Sequence, residues 1–83
     1  MNYIIIDLEA TCWKNVMDFG KMEIIEIGAV KLDNNLKKVD EFSHFIRPVE
    51  EPVLSDFCME LTSITQQEVN NAKPFNIVFP QLL

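Results

Sequence analysis

The sequence predicts an α/β fold in which three strands are followed by short helices. Three observations carry this. Two β-branched, mostly apolar runs fall within the first 32 residues. A turn signal at residues 33–35 separates the second run from a third extended one. Beyond Pro48 and Pro52 the apolar spacing lengthens from two residues towards the period of a helix.

Residues 2–8, inside the stretch "YIIIDLEATCW" (3–13), have the pattern of a strand buried on both faces. Residues 10–21 contain Lys14, Asn15, Asp18 and Gly20 and read as a loop. "EIIEIGAVKL", residues 23–32, is a second Ile- and Val-rich strand. After "DNN", residues 36–47 form a third, with Phe42, His44 and Ile46 on one face and Phe45 on the other. The second and third strands and their short link make a hairpin. Ser55 can cap a short helix over "DFCMEL". Thr65 with Glu68 three residues on is a capping box, so a second helix should start near Gln66. Phe75, Val78, Phe79 and Leu82 share one helical face, but Pro80 interrupts them. A helix there is either kinked or begins near the proline.

At 83 residues the chain makes one domain at most, and its 48% hydrophobic content supports a small core. Its net charge of −6, from 13 acidic and 7 basic residues, argues against gripping nucleic acid through the overall field. A local site where metal ions cancel the acids stays open. Cys12 and Cys58 are far apart and outside any C-x-x-C pair, so they do not point to zinc. The first strand starts within two residues of Met1, leaving no space for a leader, and no apolar run approaches the roughly 18 residues of a membrane helix. The expectation is a soluble, cytoplasmic chain with free, buried thiols and no membrane partner.

The strongest chemical signal is Asp7 with Glu9. Alternation along a strand puts both on one face, with Cα atoms about 6.5–7 Å apart at about 3.3 Å per residue. Two such carboxylates repel, and partial burial raises at least one pKa. A divalent cation sharing their oxygens relieves this. Mg2+ suits the pair because it takes one or two protein carboxylates, keeps several waters and binds substrate phosphate. Two such ions about 3.5–4 Å apart are the usual apparatus for hydrolysing a phosphodiester. Alone, D-x-E is common, and acids at a strand end are often simply solvated. A buried strand, a shared face, and then small Ala10 and Thr11 letting a ligand approach favour the site.

"IIIDLEATCW", "EIIEIGAVKLD", "FSHFIRP", "LSDFCMELTSITQQEVNNA" and "PFNIVFP" resemble, in that order, the N-terminal part of the DEDDh 3′-to-5′ exonucleases. Within that family they are most similar to the branch that trims histone-mRNA ends and small RNAs and to the KapD-like branch. The resemblance implies an RNase H-like mixed sheet with helices on both faces, its first three strands antiparallel neighbours. It implies removal of one nucleotide at a time from the 3′ end of single-stranded RNA or DNA, releasing nucleoside 5′-monophosphates with two Mg2+ or Mn2+ ions. It implies that Asp7 bridges both ions and that Glu9 holds one, beside the attacking water. By the same resemblance Ala10 and Thr11 touch the terminal nucleotide and its 3′ hydroxyl, and Leu61, Thr62 and Ile64 border the base pocket.

Ser63 stands where the family has glycine, at a cost if positive φ is required. The family also uses a later aspartate, a histidine and a last aspartate, and residues 1–83 contain no match for them. The chain therefore reads as the N-terminal portion of one exonuclease domain, incomplete and inactive alone. The rival readings are a catalytically dead remnant serving as a nucleic-acid or protein interaction module, and a non-catalytic structural piece. His44 reads as a structural or surface residue. Glu26 either hydrogen-bonds inside the core or edges the site, and Trp13 either stacks on a base or covers the core.

Overall fold

The computed structural model describes residues 2–15 and 20–82. Of the loop expected at 10–21, Asp18 lies outside them. The element order is β1 (Tyr3–Ala10), β2 (Ile24–Leu32), β3 (Lys38–Phe45), α1 (Asp56–Thr62), α2 (Gln66–Asn70) and α3 (Phe75–Leu82). The strands form one sheet in the order β1-β2-β3, antiparallel at both seams.

The turn between β2 and β3 is built by Asp33. Its Oδ1 accepts from the Asn35 and Lys37 amides at 2.8 and 3.0 Å, and its own amide donates to the Lys37 carbonyl at 2.9 Å. Leu36 is left with φ of 62°. That left-handed residue cannot be extended, so β3 starts at Lys38 rather than at residue 36. At the other end Ile46 leaves the strand but still donates its amide to the Ile25 carbonyl at 2.8 Å. Its side chain is buried on the face expected for it.

Helices cover both faces of the sheet. On one, Val78 and Leu82 of α3 pack on Ile24, Ile27, Phe42 and Ile46. On the other, Leu54, Cys58, Ile64 and Val69, from α1, α2 and their flanks, pack on Ile25 and Phe45. Both helix starts match the sequence signals. The Ser55 hydroxyl accepts from the Cys58 amide at 3.0 Å, and Thr65 with Glu68 forms the full capping box. The α3 helix begins at Phe75, not near Pro80, and carries the proline in its interior. Pro80 and Asn76 are both exposed, so water can serve the carbonyl that loses its helical partner. The apolar face expected for α3 is divided. Val78 and Leu82 turn inward, whereas Phe75 and Phe79 stack on each other outside, with ring centroids 5.1 Å apart.

Two features depart from the expected burial, the first being Cys12, which is only half-buried where the sequence predicts a buried thiol. The β1 strand is an edge rather than a strand covered on both faces, with Ile4 57% and Ile6 53% exposed. The Cα radius of gyration is 14.2 Å, against about 12 Å for a compact chain of this length. Ser63, the C-cap of α1, has φ of 64°. A left-handed backbone is costly for a residue with a Cβ and not for glycine, so Ser63→Gly is expected to stabilise the fold by about 1 kcal/mol in a urea melt.

Candidate active site

Asp7 and Glu9 stand on the same face of β1, at its end. Across the seam Asp7 pairs with Gly28 and Glu9 with Glu26. Gly28 puts no side chain beside Asp7, and a Cβ there would meet only the Asp7 carbonyl, at 3.8 Å. Phe45 of β3, opposite Glu26, belongs to the same face, so the carboxylates share the side of the sheet that α1 and α2 cover. Directly beyond Glu9 the register shifts, Ala10 pairing with Ile24. Ile25 is the extra residue of this bulge, and it turns into the α1–α2 core, where it is fully buried. The two successive isoleucines in "EIIEIG" are the trace of that bulge in the sequence.

Glu26 is half-buried, and its carboxyl is raised above the ordinary 4.5, first by burial, then by the charges of Glu9, Asp7 and Glu68. The folded value therefore exceeds the unfolded one, and ionised Glu26 opposes folding. This opposition is absent below the unfolded pKa and grows as pH rises through the folded one. Glu26→Gln is expected to raise the denaturation midpoint at about pH 7 and to leave it unchanged below about pH 4. Urea melts of the two proteins at both pH values check this. Glu26 thus lies directly across the seam from Glu9, beside the Asp7–Glu9 pair.

The segment after Glu9 is held from both sides. The Thr11 amide donates to the Glu23 carbonyl at 2.8 Å, and the Thr11 hydroxyl accepts from the Glu23 amide at 2.9 Å. The Glu23 carboxylate in turn accepts from the Val49, Glu50 and Glu51 amides at 2.8, 2.9 and 3.1 Å, fixing the loop after β3. On the other side Ser55 donates to the Cys12 carbonyl at 2.6 Å, and the Cys58 thiol donates to the Ala10 carbonyl at 3.7 Å. Burial first, then the Cys58 hydrogen bond and the charges of Cys58 and Glu9, push the Cys12 thiol up to about 11. It is protonated at neutral pH and offers no nucleophile.

The other residues singled out by sequence are placed differently from one another. Thr11 is only 2% exposed and Ile64 3%, Ile64 lying in the core under α1 and α2. The Thr62 hydroxyl donates to the Cys58 carbonyl at 2.8 Å, within its own helix. Leu61, 67% exposed, faces solvent and shares a concave surface with Lys14, Phe57 and Glu60. Phe57 is an addition to the residues that sequence reasoning selects, and its signal is the spacing of four from Leu61, which puts both on one helical face. Trp13 is half-buried. His44 is exposed, rests on Phe42 with ring centroids 4.5 Å apart, and pairs with Ile27, on the face away from the carboxylates.

Among the described residues no three Asp, Glu, His or Cys side chains form a ready-made metal cage. What Asp7 and Glu9 offer is two hard oxygen donors on one open face, which fits a Mg2+-type ion that keeps several waters. The shared-face carboxylates lie on β1, and the apolar, partly aromatic surface of Phe57 and Leu61 lies on α1, whose cap Ser55 and whose Cys58 bond the segment just after Glu9.

The chain belongs to the exonuclease family (RNase_T), which it matches over residues 4–83. It is 43% identical over 79 residues to human ERI1 exoribonuclease 2, an alignment covering 94% of this chain and 11% of that protein. It is 41% identical over 80 residues to human 3'-5' exoribonuclease 1, covering 95% of this chain and 22% of the relative. The solved nuclease domain of 3'hExo, a DEDDh family member bound to rAMP, superposes with a TM-score of 0.91 at 39% identity, covering 98% of this chain and 41% of that one. A 3'-exonuclease structure concerned with 3'-end recognition of a histone mRNA stem-loop superposes equally well, at 0.91 and 39% identity, over 98% of this chain and 28% of that one. The chain thus spans a minor part of the relatives it matches. The expected fold, three antiparallel strands followed by helices, is that of these DEDDh nuclease domains. Enzymes of this family depend on divalent metal ions.

Proposed function

We propose that residues 1–83 form the N-terminal portion of one exonuclease domain that removes nucleotides from the 3′ end of single-stranded RNA or DNA. The observation that carries this reading is the placing of Asp7 and Glu9 on one face at the end of β1, in a chain of this family. Asp7 and Glu9 would hold two Mg2+ or Mn2+ ions, which supply positive charge for the phosphate oxygens in the transition state. Glu9 and Ala10 border the terminal nucleotide, and the buried Thr11 holds that segment in place through Glu23. Leu61 presents apolar surface to its base, while Thr62 and Ile64 hold that helix end in place. The products are nucleoside 5′-monophosphates. A cytoplasmic, reducing setting is proposed with this, supported by two free thiols in one core cluster.

A non-catalytic interaction module is the second reading. Among these residues His44 stands on the face opposite the carboxylates, where it cannot serve them as a base. The test is release of mononucleotides from a 5′- and a 3′-labelled single strand with millimolar Mg2+ or Mn2+, by a protein carrying this chain within a complete catalytic domain. Metal-dependent loss of the 3′ label first supports the exonuclease. Tight binding of the strand without turnover supports the module.

A further inference from the structure

Two side chains tie α1 to the segment after Glu9: the Cys58 thiol, by a long 3.7 Å bond to the Ala10 carbonyl, and the Ser55 hydroxyl, by a much shorter one. Ser55 Oγ accepts from the Cys58 amide at 3.0 Å, capping α1, and spends its single proton on the Cys12 carbonyl at 2.6 Å. Cys12 lies three residues beyond Glu9, and the intervening Thr11 is pinned to Glu23 by two bonds of 2.8 and 2.9 Å. The carboxylate end of β1 therefore cannot shift along α1 without breaking the Ser55 bond, the shorter of the two. Phe57 and Leu61 ride on the same helix, two and six residues after Ser55. A capping serine needs only to accept a hydrogen bond from its helix. The second bond, donated out of the helix to the strand-end segment, is surplus to capping.

We propose that Ser55 is a positioning residue that fixes the distance between the carboxylates of β1 and the apolar surface of α1, so that a nucleotide held at both is aligned. The inference rests on the nucleotide site proposed above. It makes a specific demand: metal and nucleotide must help each other bind, and that help must pass through the Ser55 hydroxyl. Threonine in place of Ser55 would keep both bonds. Aspartate would keep the cap but has no proton to donate, and glycine is a tolerable cap with no side chain at all.

The experiment is equilibrium dialysis of labelled AMP against a protein carrying this chain within a complete catalytic domain, unchanged and as Ser55→Thr, Ser55→Gly and Ser55→Asp, each with and without Mn2+, beside a denaturant melt of each. In the unchanged protein and Ser55→Thr, Mn2+ is expected to raise AMP affinity by about tenfold, within the usual range for coupled sites. In Ser55→Gly and Ser55→Asp that ratio should fall close to one while melting stays cooperative. A purely structural role would weaken AMP binding equally with and without Mn2+, leaving the ratio unchanged, and that result overturns the inference alone. A ratio of one in the unchanged protein overturns the nucleotide site and the inference with it. Should Ser55→Gly not melt cooperatively, Ser55→Asp, whose cap is intact, decides.

Discussion

Asp7→Asn or Glu9→Gln is expected to reduce Mg2+-dependent release of mononucleotides by about a thousandfold or more, with the fold preserved. Losing one carboxylate should forfeit several kcal/mol of charge stabilisation, at about 1.4 kcal/mol per tenfold in rate. The fold has little to lose. Asp7 is exposed, and Glu9 faces Glu26 directly across the seam, where like charges oppose pairing. Neutralising Glu9 should hold stability constant or raise it slightly. A 3′-labelled single strand and a urea melt, run on each variant of a protein carrying this chain within a complete domain, separate the two effects. Turnover near the unchanged rate in either variant would remove Asp7 and Glu9 from the chemistry.

The 83 residues on their own are expected to show no exonuclease turnover and to self-associate. Two carboxylates are fewer than the family's four, and Mg2+ sheds water reluctantly, so its binding should be weak. The sheet itself predicts the association. The outer edge of β1 lacks a partner strand among the described residues, and Ile4, Ile5, Ile6 and Leu8 are each about half exposed. An unpaired apolar edge of that kind recruits another chain. Sizing at rising concentration should show larger species, and Ile6→Lys should restore the monomer by placing a charge on that edge. A monomeric chain melting cooperatively with a stability of several kcal/mol, or robust Mn2+-dependent nucleotide release, would contradict this.

What can be read from sequence divides along the range of the interactions involved. The Ser55 cap, the Thr65–Glu68 capping box and the Asp33 turn are set by residues within about four positions of each other, and the motifs that specify them are local. The β2–β3 hairpin follows from that turn. The pairing of Asp7 with Glu9 on one face follows from strand alternation alone. The exposure of β1 is not legible, because an isoleucine run shows what a strand can bury, not whether neighbours are there to cover it. The role of the Glu23 carboxylate is hidden because its three amide partners lie 26 to 28 residues away. The second role of Ser55 spans 43 residues and leaves no periodic trace. Pro80 argues against a helix that nonetheless forms around it, because Val78 and Leu82 gain a core on one side and the broken hydrogen bond faces water on the other.

The proposed function requires the end of β1 and the end of α1 to form one metal-dependent nucleotide site. The most direct measurement is a map of backbone amide shifts on adding AMP, with and without a divalent ion. Mg2+ gives the shifts, and trace Mn2+ broadens the amides nearest the metal. AMP shifts are expected only when the metal is present, at residues 7–13 and 61–64, with the Mn2+ broadening centred on Asp7 and Glu9. Shifts that are independent of metal, or confined to β3 around His44, would contradict it.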